Sequence, residues 1–121
     1  MFRKKTLVLI FILISIIILI ISVYNILMTK KIGYYRKQEK LMRIAAITYF
    51  ENYPIYLPKD DNESKQVVLS SLINEKYIEK VIDIEGRDCS EEKSYVRVVK
   101  NSKDTYTYFS YLVCPNYQTK K

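Results

Sequence analysis

The sequence predicts an α+β protein: a long N-terminal helix that crosses a membrane and continues as an amphipathic helix, then a small antiparallel β-sheet domain ending in a β-hairpin. Three observations carry this reading. No residue from Thr6 to Thr29 is charged. A helical apolar stripe follows and runs up to Pro54. Near the C-terminus two runs of alternating residues flank a polar turn, and the chain's only two cysteines bracket them. The implied divisions are a basic tail (1–5), a transmembrane helix (6–29), a juxtamembrane amphipathic helix (30–53) and a small α+β outer domain (54–121).

At about 1.5 Å per residue, the uncharged run reaches about 36 Å, enough for a hydrocarbon core of about 30 Å with some tilt. A buried core helix is excluded, because the residues that follow could not enclose a helix apolar on every side. A cleaved signal peptide would have a shorter apolar core and a small-residue cleavage site, which "SVYNILMTKK" lacks. Ser15 and Ser22 stand seven apart, on one face of this helix, and suggest a helix–helix contact in the bilayer.

In "KKIGYYRKQEKLMRIAAITYFENYP", Leu41, Ala45, Thr48 and Tyr49 recur at helical spacing, widened by Ile44 and Ile47. This stripe is expected to pack on the domain that follows. Pro54 should end the helix, and Gly33 admits either a break or a continuous rod. "YPIYLPKDDNESK" reads as a loop. Its acidic residues lack the glycine and the spacing of a calcium loop, so a solvated turn is expected. In "QVVLSSLINEKYIEKVIDIEG", an extended piece from Gln66 to Leu69 should feed a helix capped by Ser70 or Ser71. Leu72, Ile73 and Tyr77 would face inward, and Val81–Ile84 would form a short strand closed by Gly86.

The hairpin strands are placed at Ser94–Lys100 and Thr105–Cys114, with "NSKD" as the turn. Setting Lys100 opposite Thr105 puts Val96, Val98, Thr107, Phe109, Tyr111 and Val113 on the core face. Tyr95, Arg97, Val99, Tyr106 and Tyr108 then share the outer face, with Arg97 opposite Tyr108 and in reach of a cation–π contact. Tyr95, Arg97, Tyr106 and Tyr108 have the composition of a partner-contact surface. The plainer reading is strand propensity, or cover by a helix of the same domain. Cys89 and Cys114 are expected to form a disulfide that ties the hairpin's end to the loop entering it. The competing reading is two buried free thiols in a reducing compartment.

The net charge of +7 is carried by the two flanks of the apolar run: Arg3, Lys4 and Lys5 before it, and six Lys and Arg from Lys30 to Arg43 after it. From Ile44 onward 11 basic residues meet 12 acidic ones. The flanks suit lipid headgroups, whereas the distal part has no basic patch for nucleic acid. The chain contains no histidine and only two glycines. Histidine-based catalytic triads and phosphate-cradling loops are therefore excluded. No catalytic residue, cofactor, metal or small-molecule substrate is expected. The lysine and arginine count favours a cytoplasmic C-terminus. The cysteine pair and the densely charged N-terminal tail favour the outside, which is the expected placement.

The layout resembles that of type IV pilins and pseudopilins: a short basic tail, an apolar N-terminal helix extending past the membrane, and a small distal domain with a cysteine pair. "KKTLVLIFIL" resembles the start of their N-terminal segment, with Thr6 and Leu7 matching and Val8 standing for isoleucine. Lys5 directly precedes Thr6, so the cleavage glycine and the phenylalanine are absent, and Leu9 occupies the glutamate position. The distal part is similar to the C-terminal module of pilin-like proteins of Gram-positive bacteria. The resemblance implies a non-enzymatic, single-pass structural or accessory subunit of a bacterial cell-surface or secretion apparatus, with pilin-like subunits or further copies of itself as partners. The alternative is a membrane-tethered module that binds a protein or wall ligand through the tyrosine–arginine face.

Overall fold

One helix, α1 (Lys4–Asn52), carries both the apolar run and the amphipathic stretch. The computed structural model describes residues 3–120. It divides into two compact units, Met1–Gly33 and Tyr34–Lys121, and α1 contributes to both. Gly33 is helical and its surroundings are open, so it acts as an ordinary helix residue. Pro54 stops α1 as expected, and a single 3₁₀ turn (Pro54–Tyr56) follows.

In the first unit the apolar run is helical and exposed from end to end. No residue of its most apolar window is buried, and it is long and apolar enough to cross a membrane. The Ser15 and Ser22 hydroxyls donate to the Phe11 and Ile18 carbonyls, each at 2.9 Å. Thr29 extends the seven-residue spacing and donates to Asn25 O at 2.8 Å.

The second unit is α+β. Strand β1 (Ser64–Val68) leads into a short helix α2 (Leu69–Asn74). Strands β2 (Tyr95–Lys100) and β3 (Tyr106–Tyr111) then complete an antiparallel sheet of order β1-β2-β3. A two-stranded ribbon, β4 (Val113–Cys114) with β5 (Tyr117–Gln118), ends the chain. Helix α2 starts earlier than expected: its N-cap is Val68, with no side-chain cap, so neither Ser70 nor Ser71 serves. Leu72 is fully buried, and Ile73 and Tyr77 pack against the core as expected. Val81–Ile84 forms only one bridge, Ile82 to Asp88, around a turn at Gly86 (φ 84°).

The face of α1 that enters this core matches the expected stripe only in part: Ala45 is buried and Tyr49 packs against the core as expected, whereas Thr48 is exposed. Tyr35, Met42, Ala45, Ala46 and Phe50 are buried, whereas Leu41, Ile44 and Ile47 are exposed. Two apolar stripes lie side by side on this helix, so periodicity alone does not choose between them. The alanine-bearing stripe permits close approach of the sheet. Ser110 of β3 shows how close, since its hydroxyl donates to the Glu39 backbone carbonyl at 2.7 Å.

The hairpin register is one residue away from the expected one. Lys100 pairs with Tyr106, Val98 with Tyr108, and Arg97 with Phe109. The connection therefore runs from Asn101 to Thr105. It closes through Asn101 N donating to Thr105 O at 2.8 Å, with Lys103 and Asp104 both left-handed (φ 71° and 59°). One extra loop residue moves every side chain of β3 to the other face. Ser110, Leu112 and Cys114 now point inward and are buried. Thr107, Phe109, Tyr111 and Val113 lie on the alternate positions.

Cys89 and Cys114 form the expected disulfide, with Cα atoms 4.1 Å apart. Cys89 N donates to Val81 O at 3.1 Å and Ser90 N to Val113 O at 2.7 Å, so two short ladders bring the cysteines together. In the chain-entropy description, closing a loop of this length contributes about 3.5 kcal/mol, a substantial share for so small a core.

Candidate interaction surface

The outer face of the sheet is built from alternate residues of the hairpin. Tyr95 lies opposite Tyr111, and their rings are 4.9 Å apart and tilted by 31°. Beside them the Arg97 guanidinium lies 5.2 Å from the Phe109 ring centre and 5.9 Å from that of Tyr111. Its Nη2 donates to the Tyr111 hydroxyl at 3.3 Å, while its Nε is buried without a hydrogen-bond partner. Arg97 is thus laid across two aromatic rings, an arrangement worth about 0.5–2 kcal/mol per cation–π contact.

Of the four residues expected to form a contact surface, Tyr95 and Arg97 stand on this face. Tyr106 and Tyr108 do not, because the register turns both toward the core. The Tyr108 ring lies 6.3 Å from Phe50. Burial pushes its phenol above the ordinary value of 10.0, helped by Glu51 and Tyr106. Their places are taken by Phe109 and Tyr111. The glycine-free loop gave no sequence signal for the extra residue.

A second surface was hidden by the misplaced helical stripe. The segment Lys76–Ile82 runs beside α1, held by Tyr34 Oη donating to Ile82 O at 2.7 Å and Asn52 Nδ2 donating to Tyr77 Oη at 2.8 Å. Burial, reinforced by Tyr35 and Asp83, keeps the Tyr34 phenol above its ordinary value, in the neutral form that can donate. Between segment and helix lies a groove of about 700 Å³ whose floor includes Leu41, Ile44, Ile78 and Ile82. Lys37, Lys76, Lys80 and Glu79 also line it. Leu41, Ile44 and Ile82 are 40–49% exposed within this concavity.

Two carboxylates hold this framework. Asp83, almost fully buried, accepts from Glu85 N and Arg87 N at 2.9 and 2.8 Å and pairs with Arg87 Nε at 2.9 Å. Burial pushes its pKa up, but the Arg87 backbone N–H, the guanidinium and the Glu85 N–H outweigh it and hold it below 3.8. Glu39 accepts from the Tyr117 hydroxyl and from Thr119 Oγ1, tying the C-terminal ribbon to α1. Burial and that carboxylate raise the Tyr117 phenol above 10.0.

These surfaces offer stacking, apolar contact and fixed charge, the means of recognition. No family model matches this chain, and no curated protein or solved structure matches it either.

Proposed function

We propose that this chain is a non-enzymatic, single-pass membrane protein whose C-terminal domain lies outside the cell and serves as a pilin-like structural or accessory subunit of a surface or secretion apparatus. The observation that carries the reading is the bare apolar helix. From Leu7 to Leu27 its large aliphatic and aromatic side chains are 40–69% exposed, with no protein cover. Water would not tolerate such a surface on a soluble chain, and a bilayer removes the cost. The disulfide supports an oxidising exterior for the second unit.

Membranes solubilised under native conditions, followed by capture of the tagged chain and mass spectrometry, test the reading. Retention of the chain in membranes through carbonate washing, with other membrane-anchored subunits captured alongside it, is expected. A chain released by carbonate would contradict the anchoring. A second reading rests on Arg97 and its rings: a tethered module that recognises a protein or wall ligand through Tyr95, Arg97, Phe109 and Tyr111. Retention of such a ligand by a chain that captures no subunits would favour it.

A further inference from the structure

We infer that the free edge of β3 takes up an acidic, extended segment of a partner protein as an added strand, held by backbone hydrogen bonds and by a basic stripe on α1. This edge lies in the second unit, so the contact is available whichever side of the membrane the domain occupies.

The two ends of the hairpin fix which backbone groups of β3 stand free. At one end Asn101 N donates to Thr105 O at 2.8 Å, and at the other Val113 N donates to Ser94 Oγ, beside β2, at 2.9 Å. The alternate residues between them, Thr107, Phe109 and Tyr111, therefore direct their N–H and C=O groups toward β2. Those of Tyr106, Tyr108, Ser110 and Leu112 point the other way. Leu112 is satisfied there by the C-terminal ribbon: its carbonyl accepts from Thr119 N at 3.0 Å and its N–H donates to Thr119 Oγ1 at 2.9 Å. Past Leu112 the edge is bare. β3 is the outermost strand of its sheet, and among the described residues nothing meets the backbone of Tyr106, Tyr108 or Ser110 on this side.

Proteins ordinarily blunt such an edge with charges, proline or a bulge. β1, at the opposite edge of the sheet, carries Lys65, paired with Glu63 at 3.5 Å. Tyr106–Tyr111 contains no charge, proline or glycine, and its register with β2 runs without a bulge. It is a strand edge with nothing to turn another strand away.

α1 supplies the charge preference. Ser110 Oγ reaches the Glu39 carbonyl at 2.7 Å and the Tyr108 ring lies 6.3 Å from Phe50, so α1 runs beside β3 over this span. The ribbon on the same edge meets α1 at Glu39, through Tyr117 and Thr119. At about 3.6 residues per turn, Arg36, Lys40 and Arg43 share an arc of about 60° next to Glu39, away from the Lys76–Ile82 groove. None of the three forms an ion pair among the described residues. The acids beside them are Glu39, whose carboxylate those two hydroxyls already occupy, and Glu51, close to Tyr108. An added strand turns alternate side chains toward α1, where carboxylates would meet three unpaired cations. Main-chain bonds then give affinity, and the alternate side chains give selection.

The test uses the full chain in detergent micelles and a short, end-blocked peptide of alternating valine and aspartate. Adding the peptide is expected to slow amide exchange at Tyr106 and Tyr108 about tenfold or more, read by nuclear magnetic resonance. The amides of Thr107 and Phe109, already bonded to β2, should keep their rates. A lysine counterpart of the peptide should bind about tenfold more weakly. Arg36→Glu with Lys40→Glu, both at exposed positions, should reverse that preference. The aspartate peptide methylated at its amide nitrogens should not bind. Retention of the disulfide and of the melting transition confirms that the variant is folded. Unchanged exchange at Tyr106 and Tyr108 in millimolar peptide, protection confined to other elements, or equal binding of the two peptides would overturn the inference.

Discussion

Asp83 shows how much one side chain organises here. Its carboxylate closes the Ile82–Asp88 turn by gathering two backbone N–H groups and the Arg87 guanidinium. That turn presents Val81 and Cys89 to the core and leaves Ile82 beside the groove. Because folding lowers the Asp83 pKa, its ionised form stabilises the native state fully above the unfolded value of about 3.9. The contribution fades as pH falls through the lower, folded value. Asp83→Asn should therefore melt below the wild type at pH 7, and the two should converge as the pH is lowered progressively below the ordinary carboxylate range. Thermal melts across that range check it, and a gap that persists undiminished in acid would show that the carboxylate's charge is not what holds the turn.

At the scale of elements, the hairpin register has a direct energetic signature. Tyr108 packs toward Phe50, whereas Phe109 is 40% exposed. Tyr108→Ala should cost about 2 kcal/mol, part of what a fully buried aromatic costs, and Phe109→Ala under about 1 kcal/mol. Denaturant titration of the two variants measures this, and the opposite order would restore the shorter loop. The existence of both hairpin strands, of α2 and of the end of α1 at Pro54 was legible, because period-two alternation and proline act locally. The register was not, since Lys103 adopts left-handed backbone without the glycine, asparagine or aspartate that usually announces it, and Asp104 alone does not fix the length of the loop. The buried face of α1 was legible only in part, through Ala45 and Tyr49. Leu41 and Ile44 outrank the alanines in hydrophobicity, but Ala45 and Ala46 let the sheet come close, a choice made by packing rather than by pattern. The candidate surfaces inherited both slips: Tyr95 and Arg97 were found, Phe109 and Tyr111 were displaced by Tyr106 and Tyr108, and the groove went unseen. The pairing of Cys89 with Cys114 needed no register, because the chain offers no other partners.

Under the proposed anchoring, the sequence divides the physical work of the whole molecule between two solvents. Thr6–Thr29 carries no charge and is exposed throughout its helix. The residues after Gly33 form their own core of α1, sheet and disulfide. The account holds that the first segment spans the bilayer and the second folds in an oxidising exterior. The positive flank after the helix opposes that orientation under the positive-inside rule, so orientation is the point at which the account is most exposed. Protease added to intact cells carrying a C-terminal tag on this chain tests it most directly. The account predicts loss of the tag while a membrane-held N-terminal fragment remains. Full protection of the tag until the cells are lysed would place the domain in the cytoplasm and contradict it.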